Sequence, residues 1–231
     1  AATRFLGYMQ NHDQIGNRGD SKRIAERVSP EQTDFMHFVK FLAPQIPLCF
    51  MGGEANLGTP FPFFFDLPED VAKKKRADRY DQLRNIFKHE IGPEGLPDPN
   101  DPLTFEMAKI QWCEYSDRPE RRAALDRFRL LTSWRRERLW PLSGTPCLDA
   151  RTARQGNCLI VNWTFEAGVL TMALNPTAAP ADINCTIVGT PLSTGEFSQR
   201  GEVLRFGAWS AVAWLTPRSP YPRPAVAKMM W

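Results

Sequence analysis

Residues Asn11 to Arg18, "NHDQIGNR", place six hydrogen-bonding side chains in eight positions: Asn11, His12, Asp13, Gln14, Asn17 and Arg18. They follow the short apolar run "FLGYM" after a single intervening residue, Gln10. A carboxylate, an imidazole, a guanidinium and three amides form a fan of donors and acceptors, the pattern that the vicinal hydroxyls of a sugar require. The competing reading is structural, with Asp13 capping a turn, His12 satisfied in the core and Arg18 paired with Glu26. Metal chemistry is not indicated, because His37 and His89, the remaining histidines, stand at no spacing that would complete a site.

The elements around the cluster give it a position. Phe5 to Met9 reads as a short buried strand, and Asn11 to Arg18 as the loop leaving its C-terminal end. Ser29-Pro30-Glu31-Gln32 is a helix start, with Ser at the N-cap, Pro at the first position and Gln at the third. Phe35, Phe38, Val39 and Leu42 then recur at helical spacing, and Pro44 closes the helix. "IPLCFMGGE" is a second, nearly continuous apolar strand. Strand, helix and strand in this order predict a βαβ unit with parallel strands. Both strands then end in polar, Gly-containing loops on one sheet edge, where α/β folds bind ligands.

Farther along, "ANLGTPFPFFFDLP" crowds Phe among Pro, too irregular for a strand and too aromatic for a linker. Glu69 to Lys88 reads as a charged helix whose "KKKR" run is diluted by Asp78 and Asp81, a solvated face rather than a nucleic-acid patch. Gly92 to Pro102 is expected to be loop. Pro119 to Arg138 is a long helix with Ala124, Leu125, Phe128 and Leu131 on one face and surface arginines opposite. From about Ser143 short β-rich segments recur, at 158–162, 169–175, 183–188, 202–206 and 210–215, predicting a small antiparallel β domain. The final "PRSPYPRPAVAKMMW" is Pro-rich and expected to fray, with Trp231 a candidate to dock. Glycine-rich phosphate loops and G-x-S-x-G signatures are absent from the sequence.

Composition narrows the function further. The 231 residues carry a net charge of +3 with basic and acidic residues interleaved, so a polyanionic partner such as nucleic acid is not indicated. Five cysteines, odd in number and without a C-x-x-C pair, fit reduced thiols in a cytoplasm. Apolar runs are interrupted well short of the roughly 20 residues of a membrane span. The opening "AATRFLGYMQ" lacks an initiator Met and enters an apolar run at once, which reads as a piece of a longer protein.

Asn11-His12-Asp13-Gln14 at the end of a short apolar strand resembles the fourth conserved segment of the α-amylase family of glycoside hydrolases, which follows the seventh strand of their barrel. Taken with "LAPQIPLCFMGGE", "TPFPFFFD" and "PDPNDPLTFEMAKIQW", "NHDQIGNR" is similar to the trehalohydrolases of that family, over roughly residues 5–140. The β domain matches in type and position. The resemblance implies an α/β plus all-β fold: residues 1–142 as the last two βα units of a (β/α)8 barrel, 143–217 as an antiparallel β-sandwich, and 218–231 as a Pro-rich tail. It implies hydrolysis of the α-1,4 bond next to the terminal trehalose of malto-oligosyltrehalose or a related α-glucan, in trehalose biosynthesis, without a cofactor. It makes Asp13 the transition-state-stabilising carboxylate and His12 a donor to the same sugar ring, with Asn11, Gln14, Arg18 and Glu54 as further substrate contacts. In this family the nucleophile and general acid lie on the fourth and fifth strands, so the present residues alone are expected to be inactive. One departure is visible: the family's Met-Gly-Glu-Glu reads Met51-Gly52-Gly53-Glu54 here, and Ala55-Asn56 replaces the usual Trp-Gly. The alternatives are another α-amylase-family activity, branching or debranching, and a non-catalytic glucan-binding module.

Overall fold

The computed structural model describes residues 4–87 and 96–217. His89, Lys88, the start of the expected 92–102 loop and the Pro-rich tail with Trp231 lie outside the described residues. The chain divides into two compact units, one over Arg4–Ser133 and one from Trp134 onward.

In the first unit, strand β1 (Leu6–Gly7) pairs in parallel with β2 (Ile46–Pro47), Leu6 opposite Ile46 and Gly7 opposite Pro47. The ordered pairing is shorter than the apolar runs that predict it. Between the strands, helix α1 (His12–Gly16) is a single turn, a 3-10 turn spans Ile24–Glu26, and helix α2 covers Pro30–Leu42. Helix α2 forms as its sequence dictates: the Ser29 hydroxyl accepts from the Gln32 N–H at 3.2 Å and the Gln32 side chain accepts from the Ser29 N–H at 2.9 Å. It buries Phe35, Phe38, Phe41 and Leu42, each contributing about 1.5–3 kcal/mol of hydrophobic stabilisation. It stops at Ala43, whose extended backbone is the conformation required before Pro44.

Helices α3 (Glu69–Phe87), α4 (Pro102–Ala108), α5 (Glu114–Asp117) and α6 (Pro119–Trp134) complete this unit. The residues ahead of α4 form turns up to its N-cap, Asp101, whose carboxylate accepts from the Leu103 N–H at 2.8 Å. Helix α6 buries Ala124 and Leu131 and sets Phe128 edge-on to Phe41 at 5.1 Å. Its arginines are not all surface residues, contrary to the sequence reading. Arg121 is buried and pairs with Glu114 at 2.7 Å, because two acidic residues of the preceding turn face it. The α-helix also ends four residues short of the expected Arg138.

The second unit begins with a π-helical turn over Arg135–Leu139 and the short helix α7 (Trp140–Ser143). Strands β3 (Cys147–Gln155), β4 (Cys158–Phe165), β5 (Gly168–Asn175), β6 (Ala181–Asn184), β7 (Leu192–Thr194), β8 (Phe197–Arg200), β9 (Val203–Phe206) and β10 (Ser210–Pro217) follow. They form two antiparallel sheets, ordered β3-β4-β5-β10-β7 and β6-β9-β8. Alternate residues of the larger sheet (Cys158, Ile160, Ala173, Val212, Trp214) meet Ile183, Leu204 and Phe206 of the smaller, which makes the pair a sandwich. On the other face, Phe165 and Leu170 bury against Leu139 and Leu142 of the helical lead-in. With both faces covered, β5 is buried almost throughout, its polar Thr171 and Asn175 included.

Phe206 is fully buried at the centre of this sandwich. Phe206→Ala should destabilise the β unit by about 3–5 kcal/mol, seen as a lower denaturation midpoint in near-UV circular dichroism. A shift equivalent to less than about 1 kcal/mol would show that the two sheets do not share this core.

Candidate functional site

The expected loop after β1 is one turn of helix, and the polar cluster builds it. Asn11 takes an extended backbone at the N-cap; its side-chain oxygen accepts from the Asp13 N–H at 2.7 Å while Gln14 Oε1 accepts from the Asn11 N–H at 2.9 Å. This reciprocal capping box occupies one side-chain oxygen each of Asn11 and Gln14. Ile15 and Gly16 anchor the turn in the interior. A Cβ at Gly16 would stand 3.4 Å from the Phe61 carbonyl oxygen, so the small residue permits close approach of the Pro/Phe segment.

His12 and Asp13 are left free of the cap. Their side chains are 63% and 60% exposed, with His12 Nε2 3.3 Å from an Asp13 carboxylate oxygen. Behind them, the His12 ring lies 6.4 Å from Phe50, which follows β2. From Phe50 an edge-to-face series runs through Phe61 and Phe64 to Phe105, at 4.9, 5.8 and 5.1 Å. The loops after β1 and β2 therefore sit together, as two parallel strands joined by one helix require. The aromatic segment forms the apolar ground beneath them.

Asp13, Gln14 and Arg18 line one groove of about 320 Å³ together with Asn17, Arg79, Gln82 and Leu83. That is at the lower end of the range for small-molecule sites. Arg18 is held by its Nε donating to the Gln14 carbonyl at 3.2 Å, the local contact of a turn. Arg79 and Gln82 come from α3, which the sequence presents only as a charged, solvated face. Arg79 donates to the Gly16 carbonyl at 2.5 Å and to Asn17 Oδ1 at 3.2 Å, and lies over the Phe63 ring at 4.3 Å. It locks the C-terminal end of α1 from outside.

Glu54 is placed apart from this groove. Its carboxylate accepts from the Tyr115 hydroxyl, with the Cys49 sulfur 4.0 Å away. Burial and that hydrogen bond push the Tyr115 hydroxyl up. Nearby, Arg23 is fully buried, donating from Nε to the Thr59 carbonyl and from Nη1 to the Met51 carbonyl, both at 2.6 Å. Burial lowers its pKa, against the charges of Glu54 and Glu114. Two backbone positions shape this cluster: Gly52 has φ +81°, and Asn56 has φ +52°, a left-handed conformation that Asn tolerates better than most residues. Among the described residues no group of three or more His, Cys, Asp or Glu could hold a metal ion. No described helix is long and apolar enough to cross a membrane.

No family model matches the chain. Curated relatives do. It is 35% identical over 128 residues to the malto-oligosyltrehalose trehalohydrolase of Brevibacterium helvolum, covering 55% of this chain and 21% of that protein. For the enzyme of the same name from Rhizobium sp. strain M-11 the values are 34%, 55% and 21%, and for that of Mycobacterium tuberculosis H37Rv 33%, 49% and 19%. The chain thus spans about a fifth of the length of these relatives. Among solved structures, a Salmonella typhimurium protein described as an alpha amylase superposes with a TM-score of 0.76 at 28% identity, over 93% of this chain and 35% of its own. Trehalulose synthase MutB, at 13% identity and a TM-score of 0.52, covers 91% of this chain and 42% of its own, a likeness of fold alone.

His37 of α2 completes the cluster around Arg23. It stacks on Phe41 at 6.0 Å, and its Nε2 lies 3.2 Å from Asn56 Oδ1. Burial, helped by the Lys40 charge, pushes its pKa down from 6.5 to about 4. The unfolded chain therefore takes up the proton first as pH falls, and the stability His37 contributes is intact above pH 6.5 and lost progressively down to about 4. The loss amounts to on the order of 3 kcal/mol. Chemical denaturation of the wild type and His37→Gln should give a stability difference that changes across this window, the variant being flatter. A difference independent of pH would show that the imidazole is not held neutral.

Proposed function

We propose that these residues form the C-terminal part of a retaining glycoside hydrolase of the α-amylase family that cleaves the α-1,4 bond next to the terminal trehalose of malto-oligosyltrehalose, releasing trehalose. In this reading residues 1–142 supply the last two βα units of a (β/α)8 barrel, 143–217 the appended β-sandwich and 218–231 a Pro-rich tail. The whole protein works in the cytoplasm, a setting in keeping with five unpaired cysteines. The observation that carries the proposal is the His12–Asp13 pair, exposed on a rigid turn at the C-terminal end of a parallel strand and beside a polar groove. The named relatives support the substrate class.

In the proposed mechanism Asp13 grips the sugar at the cleavage point. Its negative charge interacts most strongly as the ring flattens and becomes oxocarbenium-like, so its energy acts on the transition state more than on ground-state binding. His12 donates to hydroxyls of the same ring. Arg18 and the free amides of Asn11 and Gln14 contact neighbouring hydroxyls, while Glu54 braces the rim through Tyr115 and reaches substrate only at that edge. Retaining hydrolysis also needs a nucleophile and a general acid with carboxyls about 5 Å apart. Those belong to other strands of the whole protein.

Two measurements test this reading. The 231-residue chain by itself should release no trehalose from malto-oligosyltrehalose, and release by the pure chain would overturn the assignment. In the whole-length protein carrying this segment, Asp13→Asn should lower kcat about a hundredfold or more, with a much smaller change in KM, since a charged contact of this kind contributes on the order of 3 kcal/mol. His12→Ala should be milder, because a neutral hydrogen bond is weaker. Near-normal kcat in a folded Asp13→Asn protein would return the loop to a purely structural role. Branched or transferred glucan products, in place of free trehalose, would mark a branching activity.

A further inference from the structure

Arg79 is held differently from most of the arginines that brace the first unit. Arg76 pairs with Glu69 and Asp98, Arg121 with Glu114, and Arg127 with Asp34, each guanidinium set against a carboxylate. Arg79, half-buried on α3, has only neutral partners among the described residues: the Gly16 carbonyl at 2.5 Å, Asn17 Oδ1 at 3.2 Å and the Phe63 ring at 4.3 Å. Burial lowers its pKa. A charge taken from water without a counter-charge is a cost to the fold that hydrogen bonds must offset. The acceptors it spends that charge on are specific. Gly16 ends α1, where carbonyls lack intrahelical donors and a cation complements the helix end. Asn17 gives its own N–H to the Asp13 carbonyl at 2.9 Å, the bond that closes the turn carrying Asp13. Arg79 also lines the 320 Å³ groove with Asp13 yet makes no ion pair with it, so the carboxylate stays free for a ligand.

We infer that Arg79 is a positioning residue for Asp13, clamping Gly16 and Asn17 from α3 so that the carboxylate already points in its working direction when substrate arrives. This role rests on the hydrolase reading. A group that acts on a transition state must be held to a fraction of an ångström, and a single helical turn cannot hold itself that closely. The capping box fixes the N-terminal end of the turn, and Arg79 fixes the other end from a separate element. A planar guanidinium meets two acceptors at once in a set geometry, which an ammonium on a flexible stem does not.

The test is a double-mutant cycle in the whole-length protein carrying this segment, read as trehalose release from malto-oligosyltrehalose. Arg79→Met keeps an aliphatic stem over Phe63 and removes both donors. It should lower kcat about ten- to a hundredfold, the loss expected when a reacting group is displaced by up to about 1 Å, and change KM by less than about threefold. In an Asp13→Asn background the same substitution should cost less than about twofold, since the contact it serves is already gone. Hydrogen exchange across residues 11–18 should quicken at least about tenfold in Arg79→Met, while that of α2 keeps the wild-type rate. An equal loss of kcat in both backgrounds, or unchanged exchange across 11–18, overturns the positioning role. A large loss in Asp13→Asn beside near-normal kcat in Arg79→Met also overturns it and leaves the hydrolase reading standing. Near-normal kcat in a folded Asp13→Asn protein strikes that reading, and the positioning role with it. Should Arg79→Met fail to fold, Arg79→Lys, which retains the charge but not the paired donation, is read in the same cycle against the same outcomes.

Discussion

A single buried guanidinium ties together the segments on which the candidate site stands. Arg23 donates to the carbonyl of Met51, just after β2, and to that of Thr59, at the start of the Pro/Phe run. The next residue, Ile24, gives its N–H to Gln10 Oε1, just before α1. Three loops that no sheet hydrogen bond could reach are thereby referred to one point. The arrangement has a cost. A buried charge must be surrounded by acceptors, and backbone carbonyls from irregular segments are acceptors that β-strands and helices would otherwise have consumed. The irregularity of 51–65 and the burial of Arg23 therefore require each other. The left-handed turns at Gly52 and Asn56 are how the chain brings those carbonyls round.

The same economy of polar groups governs the His-Asp turn. A five-residue helix has no stability of its own, because nucleation consumes more entropy than so few hydrogen bonds return. It is held by a capping box at one end, by Arg79 at the other, and by Ile15 below. None of these contacts uses the side chain of His12 or Asp13. Residues 11–18 thus divide into groups spent on folding and groups left for solvent or ligand. This separation is what lets an exposed acidic side chain be fixed in direction without being neutralised by a strong partner.

Much of this was legible in the residues. Ser29-Pro30-Glu31-Gln32 announced α2, and the β-rich segment 169–175 announced β5, though not that both of its faces are covered. The cap at Asn11 was equally readable, as Asn followed three residues later by Gln, but it lacked the apolar run that normally confirms such a start. Strand β3 escaped because it is exposed along nearly its whole length: "LDARTAR" has no apolar alternation, its pairing being set entirely by β4. The short strands β7 and β8 carry too few residues for any period. Arg79 and Gln82 were hidden for a different reason. On a charged helix, a side chain that grips a neighbouring turn and one that merely faces water have the same local spacing, and only the fold separates them.

What the sequence pattern could not convey is how little sheet the described residues of the first unit contain. Two parallel strands of two residues each, with Phe5 66% and Leu6 61% exposed, leave apolar surface that parallel sheets elsewhere cover on both faces. Such a pair is too small to be stable by itself. Here α2 buries its own apolar stripe, and the Arg23 cluster and the phenylalanine series fix the loops, so order at the C-terminal end of the strands is maintained by side-chain chemistry rather than by the sheet. This is the distribution expected where strands β1 and β2 take the rest of their support from further strands alongside. The loops carry enough internal bonding to hold His12 and Asp13 in place, whereas the strands beneath them do not carry enough to stand alone.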